Sequence, residues 1–213
     1  MLRLRAGEEI ELFDDTGHRA TAKIDQIDSA GVVALVHELD VKLAAATGVS
    51  LTIASAIPKG DRADWMVEKL SELGVTRFIP LITARSVVAP KGTNKRERWQ
   101  RIALESAKQS RRVGTLQIDE PTTLKDAIGS LAGRRYFLST EPDASPIARS
   151  LGSNAPISLL IGPEGGWTET EIELMRAANM RGLRLTATVL RVETAAIAAA
   201  AIASVVLTQD DRS

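Results

Sequence analysis

Apolar and polar residues alternate along the first part of the chain. Residues 9–13 alternate and run into a turn signal of two aspartates, a threonine and a glycine, and residues 21–27, 32–39 and 51–56 are further short strands. Short strands with tight turns and no helical period predict a small β-barrel over residues 1–57.

From residue 58 onward, helical spacing alternates with short apolar runs. Helices are predicted over 62–73, 95–111, 123–131, 168–179 and 194–207, and strands over 77–82, 135–139, 156–161 and 183–185. Strands that alternate with helices are typical of a mostly parallel α/β sheet. The pattern therefore predicts a second domain over residues 58–213.

The composition excludes several kinds of chemistry. The 213 residues include no cysteine, which excludes disulfides, thiolate nucleophiles, cysteine-bound zinc and iron–sulfur clusters. With His18 and His37 as the two histidines, no metal site is predicted. The longest apolar run, 195–207, is shorter than the ~20 residues that span a bilayer, and the N-terminus lacks a signal-peptide core. No membrane association and a cytoplasmic location are predicted.

Charge is unevenly distributed although the formal net charge is zero. Residues 1–57 hold 5 basic and 9 acidic side chains, residues 58–112 hold 13 and 6, and residues 113–213 hold 9 and 12. The basic middle segment fits either a phosphate backbone or an ordinary solvated helix face. The predicted RNA-binding cations are Lys91, Lys95, Arg96, Arg98, Arg111 and Arg112.

A glycine-rich turn follows the buried strand that ends at residue 161. The sequence Gly-Pro-Glu-Gly-Gly at 162–166, called the glycine turn below, brings bare backbone N–H groups close to a ligand. It is neither a dinucleotide fingerprint nor a P-loop, because their glycine and lysine spacings are absent. Thr168 and Glu171 then form a capping box. The alternative is a plain strand-to-helix turn.

A second motif, Leu-Arg-Val-Glu-Thr-Ala-Ala at 190–196, opens the last helix. Thr194 is its predicted N-cap, and Arg191 and Glu193 lie at its mouth. An ion pair with an ordinary cap is the alternative to a functional role. Because the helix is apolar all round, it is expected to be buried on every side, at a subunit interface or in the domain core.

These two motifs together resemble the SPOUT-superfamily methyltransferases that modify uridine N3 in 16S ribosomal RNA, the ribosomal small-subunit methyltransferase E family. Further segments reinforce the match in the family's order: residues 69–75, 77–83 followed by Arg85 and Ser86, 97–99 and 107–111. The resemblance implies an S-adenosylmethionine-dependent homodimer that methylates 16S ribosomal RNA of the small subunit.

The resemblance also implies a fold. It is an α/β, SPOUT-type trefoil-knotted parallel sheet with helices on both faces, placed in residues 58–213, and it follows a PUA-like RNA-binding β-barrel in residues 1–57. Residues 2–13 match the family's second stretch, so the barrel is expected to be truncated, through either a misassigned start codon or a naturally short chain.

Roles for single residues follow from the same resemblance. The cofactor is expected among three loops, at 138–141, 162–166 and 185–195. The implied cofactor-binding residues are Leu138, Ser139, Thr140, Ile161, Gly162, Pro163, Gly165, Gly166, Leu185, Leu190, Arg191, Thr194 and Ala195. Arg191 is the candidate for stabilising charge on the uridine oxygens, and Glu164, Glu193 or water takes the N3 proton. A sulfonium donor requires no metal.

Two other functions stay open at this point, and a third is disfavoured. One is a SPOUT methyltransferase for another RNA position or for transfer RNA, and a second is a non-catalytic RNA-binding dimer. A third, a nucleotide-dependent oxidoreductase, predicts a G-x-G-x-x-G turn with an acidic ribose anchor, and the chain has neither.

Overall fold

The computed structural model describes residues 4–14, 19–29, 31–40, 50–86, 93–112, 114–152 and 155–208. The chain divides into two compact units. Residues 1–47 with 113–115 form the smaller unit, and residues 48–112 with 116–213 form the larger one.

The smaller unit contains a three-stranded antiparallel sheet. Its strands are β1 (Glu9–Phe13), β2 (Arg19–Ile27) and β3 (Val32–Asp40), in the order β1-β2-β3. Register shifts between Thr21 and Ala22 and between Ile24 and Gln26 bend β2. The three strands predicted from alternation are therefore present.

The larger unit is built on an eight-stranded sheet. Its strands are β4 (Leu51–Ala56), β5 (Arg77–Ile82), β6 (Gln117–Ile118), β7 (Thr122–Thr123), β8 (Arg134–Leu138), β9 (Ser145–Pro146), β10 (Ile157–Ile161) and β11 (Arg181–Arg184). Its helices are α1 (Arg62–Glu72), α2 (Thr93–Ser110), α3 (Leu124–Ser130), α4 (Ile147–Ser150), α5 (Glu169–Ala177) and α6 (Val192–Thr208). The strand order is β6-β5-β4-β10-β8-β11-β9, with β7 also on β5, and every pairing is parallel.

Strand β4 corrects the predicted domain boundary. Residues 51–56 were expected in the small barrel, but they pair on one side with β5 and on the other with β10. All six are buried, which is the pattern of a central strand in a parallel sheet rather than of a half-exposed barrel strand. The boundary predicted at residue 57 therefore moves to residues 47–48.

Helices cover both faces of the sheet. On one face, α1, α2 and α6 pack against Leu51, Phe78 and Leu159, and on the other, α3 and α5 pack against Ile79 and Leu160. This confirms the predicted α/β fold with a mostly parallel sheet. Within the described residues, none of the helices is long and apolar enough to cross a membrane.

Helix α6 is buried mainly by its own chain. It packs against α1, β4 and β10, and Ala199 and Ala203 are completely buried. Val205, by contrast, is 56% exposed. The helix begins at Val192, because the Ala195 N–H already donates to the Arg191 carbonyl at 2.8 Å. The N-cap prediction for Thr194 is therefore wrong: this residue is exposed in the first turn.

Candidate active site

A cavity of about 420 Å³ lies where β8 and β10 end. Parallel strands present their carboxyl ends at one edge of a sheet, and the loops that leave this edge commonly bind ligands. The loop after β8, the glycine turn after β10, and the segment between β11 and α6 supply most of the wall. The volume is that of a small-molecule site.

Most residues predicted around a cofactor meet in this cavity. Those that line it are Leu138, Ser139, Thr140, Ile161, Gly162, Pro163, Gly165, Gly166, Leu185, Leu190 and Ala195. Arg191 and Thr194 do not line it and are exposed at the start of α6. The cavity is also lined by Thr186, Thr188, Val189 and Val192, which lie within the predicted loop 185–195, and by Arg85, Trp167 and Ile172, which lie outside the three predicted loops.

The glycine turn is shaped by its contact with Trp167. A β-carbon on Gly162 would lie 2.8 Å from Cε2 of the Trp167 ring. The indole cannot move freely, because its Nε1–H donates to the Leu138 carbonyl at 2.9 Å. Gly166 has φ +70°, a conformation that favours glycine, and its N–H donates to the Pro163 carbonyl at 2.8 Å. These glycines therefore have a steric reason to be present.

Arg85 and Glu171 hold the turn from the side of β5. One guanidinium nitrogen of Arg85 donates to the Gly165 carbonyl at 2.8 Å and to the Trp167 carbonyl at 3.3 Å. Glu171 accepts from the Ala84 N–H at 2.9 Å and closes the predicted capping box with Thr168, which is thus confirmed. Arg85 lies 80 residues from Gly165 in the sequence, so spacing gave no sign of this contact.

Arg62 joins two of the predicted catalytic carboxylates. Its Nη1 lies 3.2 Å from Oε1 of Glu164 and 3.2 Å from Oε1 of Glu193. The pKa of the Arg62 guanidinium is raised above its ordinary value, first by the hydrogen bond to Glu193. From the sequence, Arg62 is predicted only as the first residue of a helix. Arg62, Glu164 and Glu193 are called the Arg62 cluster below.

The two carboxylates of the cluster differ in their surroundings. Glu164 lines the cavity, and its side chain is 48% exposed. Glu193 is 4% exposed, does not line the cavity, and has an Oε2 atom without a hydrogen-bond partner. Among the residues that the structure describes, no three His, Asp or Glu side chains are grouped to hold a metal ion.

The predicted RNA-binding cations are not equivalent. Arg112 donates from Nη1 to the Ser71 carbonyl at 2.8 Å and to the Val75 carbonyl at 2.9 Å, and burial lowers its pKa to about 10. The prediction that Arg112 contacts phosphate is wrong, because its guanidinium binds backbone carbonyls inside the larger unit. Arg111 is exposed and has φ +55°.

The cations of α2 are partly engaged within the chain. Lys95 lies 5.0 Å from the centre of the Trp99 ring. Arg96 donates to the Ile118 carbonyl at 3.0 Å and pairs with Glu120, and Arg98 pairs with Asp64. Lys91 lies outside the described residues.

Comparison with known proteins identifies the family. Residues 46–204 match the family model for the RNA methyltransferase domain. The ribosomal RNA small subunit methyltransferase E proteins of Synechocystis sp. and Rickettsia conorii are both 32% identical to this chain. The two alignments cover 92% and 94% of this chain, respectively. The chain spans 65% of the length of the first protein and 82% of the second.

A solved structure agrees with these relatives. The ribosomal RNA small subunit methyltransferase E of Neisseria gonorrhoeae, bound to S-adenosyl methionine, superposes with a TM-score of 0.82 at 29% identity, over 93% of this chain and 83% of that one. The family predicted from the two motifs is thereby confirmed. The chain belongs to the ribosomal RNA small subunit methyltransferase E family of RNA methyltransferases.

Proposed function

We propose that the chain transfers the methyl group of S-adenosylmethionine to N3 of a uridine in 16S ribosomal RNA. Family membership supports the cofactor and the ribosomal RNA substrate. The observation that carries the proposal is the cavity in which the glycine turn meets the segment before α6. Because the proposed substrate belongs to the small ribosomal subunit, we infer a cytoplasmic location.

The cavity lining fits S-adenosylmethionine in shape and chemistry. Leu138, Ile161, Leu185 and Leu190 supply apolar walls suited to a flat adenine ring, and the glycine turn allows close approach to backbone groups. Bound there, the cofactor supplies an electrophilic methyl group on a sulfonium. Thr194 is left out of this set because it lies outside the cavity.

Glu164 is the better proton acceptor of the two candidate carboxylates. It lines the cavity and is half exposed, so it can reach a substrate, whereas Glu193 is buried away from the cavity. Proton removal spreads negative charge onto the uridine oxygens, which a nearby cation stabilises. Arg191 is exposed beside Leu190 and Val192, both of which line the cavity, and we assign it this role.

The finer features of the fold are part of the same proposal. After β11, which pairs with β8, the chain passes the mouth of the cavity and enters α6, which packs against β4 and β10. This crossing supports the trefoil knot expected from the family. We assign residues 1–47 the role of a PUA-like RNA-binding domain.

We propose a homodimer that uses the outer side of α6. Ala199 and Ala203 are buried inside the chain, so charges there would test folding rather than assembly. Val205 on the same helix is 56% exposed, and on the neighbouring helix α1, Trp65 is 47% exposed. Exposed large apolar residues on adjacent helices favour a protein contact.

Replacing Val205 by aspartate is expected to weaken dimerisation at least about a hundredfold, because an unpaired charge would be buried in the interface. Light scattering over a concentration series measures the change. Leu174→Asp, at an apolar position of α5 on the other face of the sheet that is 36% exposed, is the matched control and keeps the dimer. An unchanged dimer in Val205→Asp would contradict this interface.

Arg111 and Arg112 form a matched pair for the RNA contact. Arg111→Gln is expected to flatten the log–log salt dependence of RNA binding by about 0.7 to 0.9, as one lost phosphate contact does. Arg112→Gln is expected to lower the free energy of unfolding by about 1–3 kcal/mol, since two buried carbonyls lose a charged donor. Salt titration and urea unfolding of both variants separate the two effects. A stability loss in Arg111→Gln together with a flatter salt dependence in Arg112→Gln would contradict both predictions.

Mapping of ribosomal RNA tests the function. In a strain that lacks this protein, mass mapping is expected to show one unmethylated uridine in 16S ribosomal RNA, and adding the purified chain and cofactor restores the methyl group at N3. Methylation of another position, or of transfer RNA, would contradict uridine N3 of 16S ribosomal RNA as the target and favour a related RNA methyltransferase activity.

A further inference from the structure

We propose that Arg62 is a positioning residue. Its guanidinium is anchored by the buried Glu193 and holds the Glu164 carboxylate at the cavity. The inference rests on the proposed function, in which Glu164 takes the N3 proton. It adds a residue to the reaction that neither the glycine turn nor the motif at 190–196 contains.

The contacts place Arg62 at a junction of three segments. Arg62 is the first residue of α1, Glu164 lies in the glycine turn, and Glu193 lies in the first turn of α6. The two hydrogen bonds span 102 and 131 residues of sequence, and both measure 3.2 Å. One guanidinium thus ties the turn that lines the cavity to the helix that follows the second motif.

Burial decides which carboxylate is the anchor. The Glu193 side chain is 5% exposed, and an ionised carboxylate in that position requires a cation beside it. Arg62 is the cation paired with Glu193 in the described part of the chain, so this contact fixes the guanidinium. The Glu164 side chain is 48% exposed and has an open side toward the cavity. Arg62 therefore orients Glu164 and leaves its carboxylate accessible.

The charged groups around Glu164 leave one side of its carboxylate open. One arginine faces two carboxylates, so the cluster carries one net negative charge when all three groups are ionised. Lys59 lines a small adjoining cleft together with Glu164, and Arg85 lines the main cavity, where its guanidinium donates to backbone carbonyls. The Glu164 carboxylate is thus held on one side and free to accept a proton on the other.

Two arginines hold the same turn in different ways, which gives the proposal its test. Arg85 binds the backbone carbonyls of Gly165 and Trp167, whereas Arg62 binds the side chain of Glu164. Loss of Arg85 is expected to disturb the cavity wall and weaken cofactor binding. Loss of Arg62 is expected to misplace the carboxylate and slow turnover, with cofactor affinity preserved.

The experiment measures kcat on 16S ribosomal RNA and the affinity for the cofactor in the variants Arg62→Gln, Arg62→Lys and Arg85→Gln of the whole chain. Arg62→Gln is expected to lower kcat at least about tenfold, within the range that a positioned proton acceptor contributes. Its dissociation constant for S-adenosylmethionine, from calorimetry, stays within about twofold of wild type, since the backbone wall is intact. Arg62→Lys is expected to recover part of kcat. Arg85→Gln is expected to weaken S-adenosylmethionine binding and to change kcat less than Arg62→Gln does.

A double-mutant cycle separates positioning from general damage. In a Glu164→Gln background, Arg62→Gln is expected to have little further effect on kcat, because both changes disable one group. If Arg62→Gln does not fold, Arg62→Gln with Glu193→Gln removes both charges of the buried pair and takes its place. Full kcat in Arg62→Gln, or independent effects in the cycle, would overturn the inference. An inactive wild-type chain would instead overturn the proposed function.

Discussion

Replacing Gly162 by alanine is expected to weaken S-adenosylmethionine binding at least about tenfold, or about 1.4 kcal/mol, while the chain stays folded. The new β-carbon would lie 2.8 Å from the Trp167 ring, closer than van der Waals contact allows. Because Trp167 is tied to the Leu138 carbonyl, either the ring or the glycine turn has to shift. Both form the cavity wall, so the wall moves with them. Calorimetric titration measures the affinity.

Gly129→Ala in α3 is the matched control for this prediction. A β-carbon there meets nothing within 4 Å, so the same chemical change leaves cofactor affinity unaltered. Gly165→Val is expected to act more mildly, since the β-carbon lies 3.3 Å from Cδ of the flexible Arg85 side chain. Wild-type affinity in folded Gly162→Ala would remove the glycine turn from the cofactor site.

Replacing Arg191 by alanine is expected to lower kcat about 10²- to 10³-fold, the effect of removing one group that stabilises a developing oxyanion. Cofactor affinity and assembly are expected to be unchanged, because the side chain does not line the cavity and is exposed. The backbone start of α6 is preserved, since only the Arg191 carbonyl takes part in it. Single-turnover methyl transfer with saturating cofactor measures the loss.

Arg184→Ala is the control for Arg191. Arg184 is also exposed, at the end of β11, and it does not line the cavity. If both variants lose activity equally, or if Arg191→Ala turns over normally, the oxyanion role is wrong.

Local signals made part of the site predictable from the sequence. The glycine turn, the capping box of Thr168 and Glu171, and the longer strands and helices depend on neighbouring residues, and they appear in the structure. The short elements β6, β7, β9 and α4 are not predicted by the sequence pattern. Arg62 and Arg85 could not be found in this way. Their partners lie 80 to 131 residues away, and only the folded sheet brings them together.

The incorrect predictions have equally physical causes. The sequence pattern predicts a barrel strand for the residues of β4, but they are buried on both faces of the parallel sheet. Arg112 looked like a phosphate contact because charge in a sequence does not reveal whether a guanidinium faces solvent or binds buried carbonyls. The residue type of Thr194 predicts an N-cap, but the helix begins earlier, at Val192.

Methyl transfer in vitro tests the central claim most directly. Purified chain, S-adenosylmethionine labelled in the methyl group, and small ribosomal subunits from a strain lacking this protein are combined, and the 16S ribosomal RNA is digested to nucleosides. We expect label in 3-methyluridine for the wild-type chain and for Gly129→Ala, and a large loss of label for Gly162→Ala at limiting cofactor. Absence of label with wild-type protein, or label in another nucleoside, would contradict it.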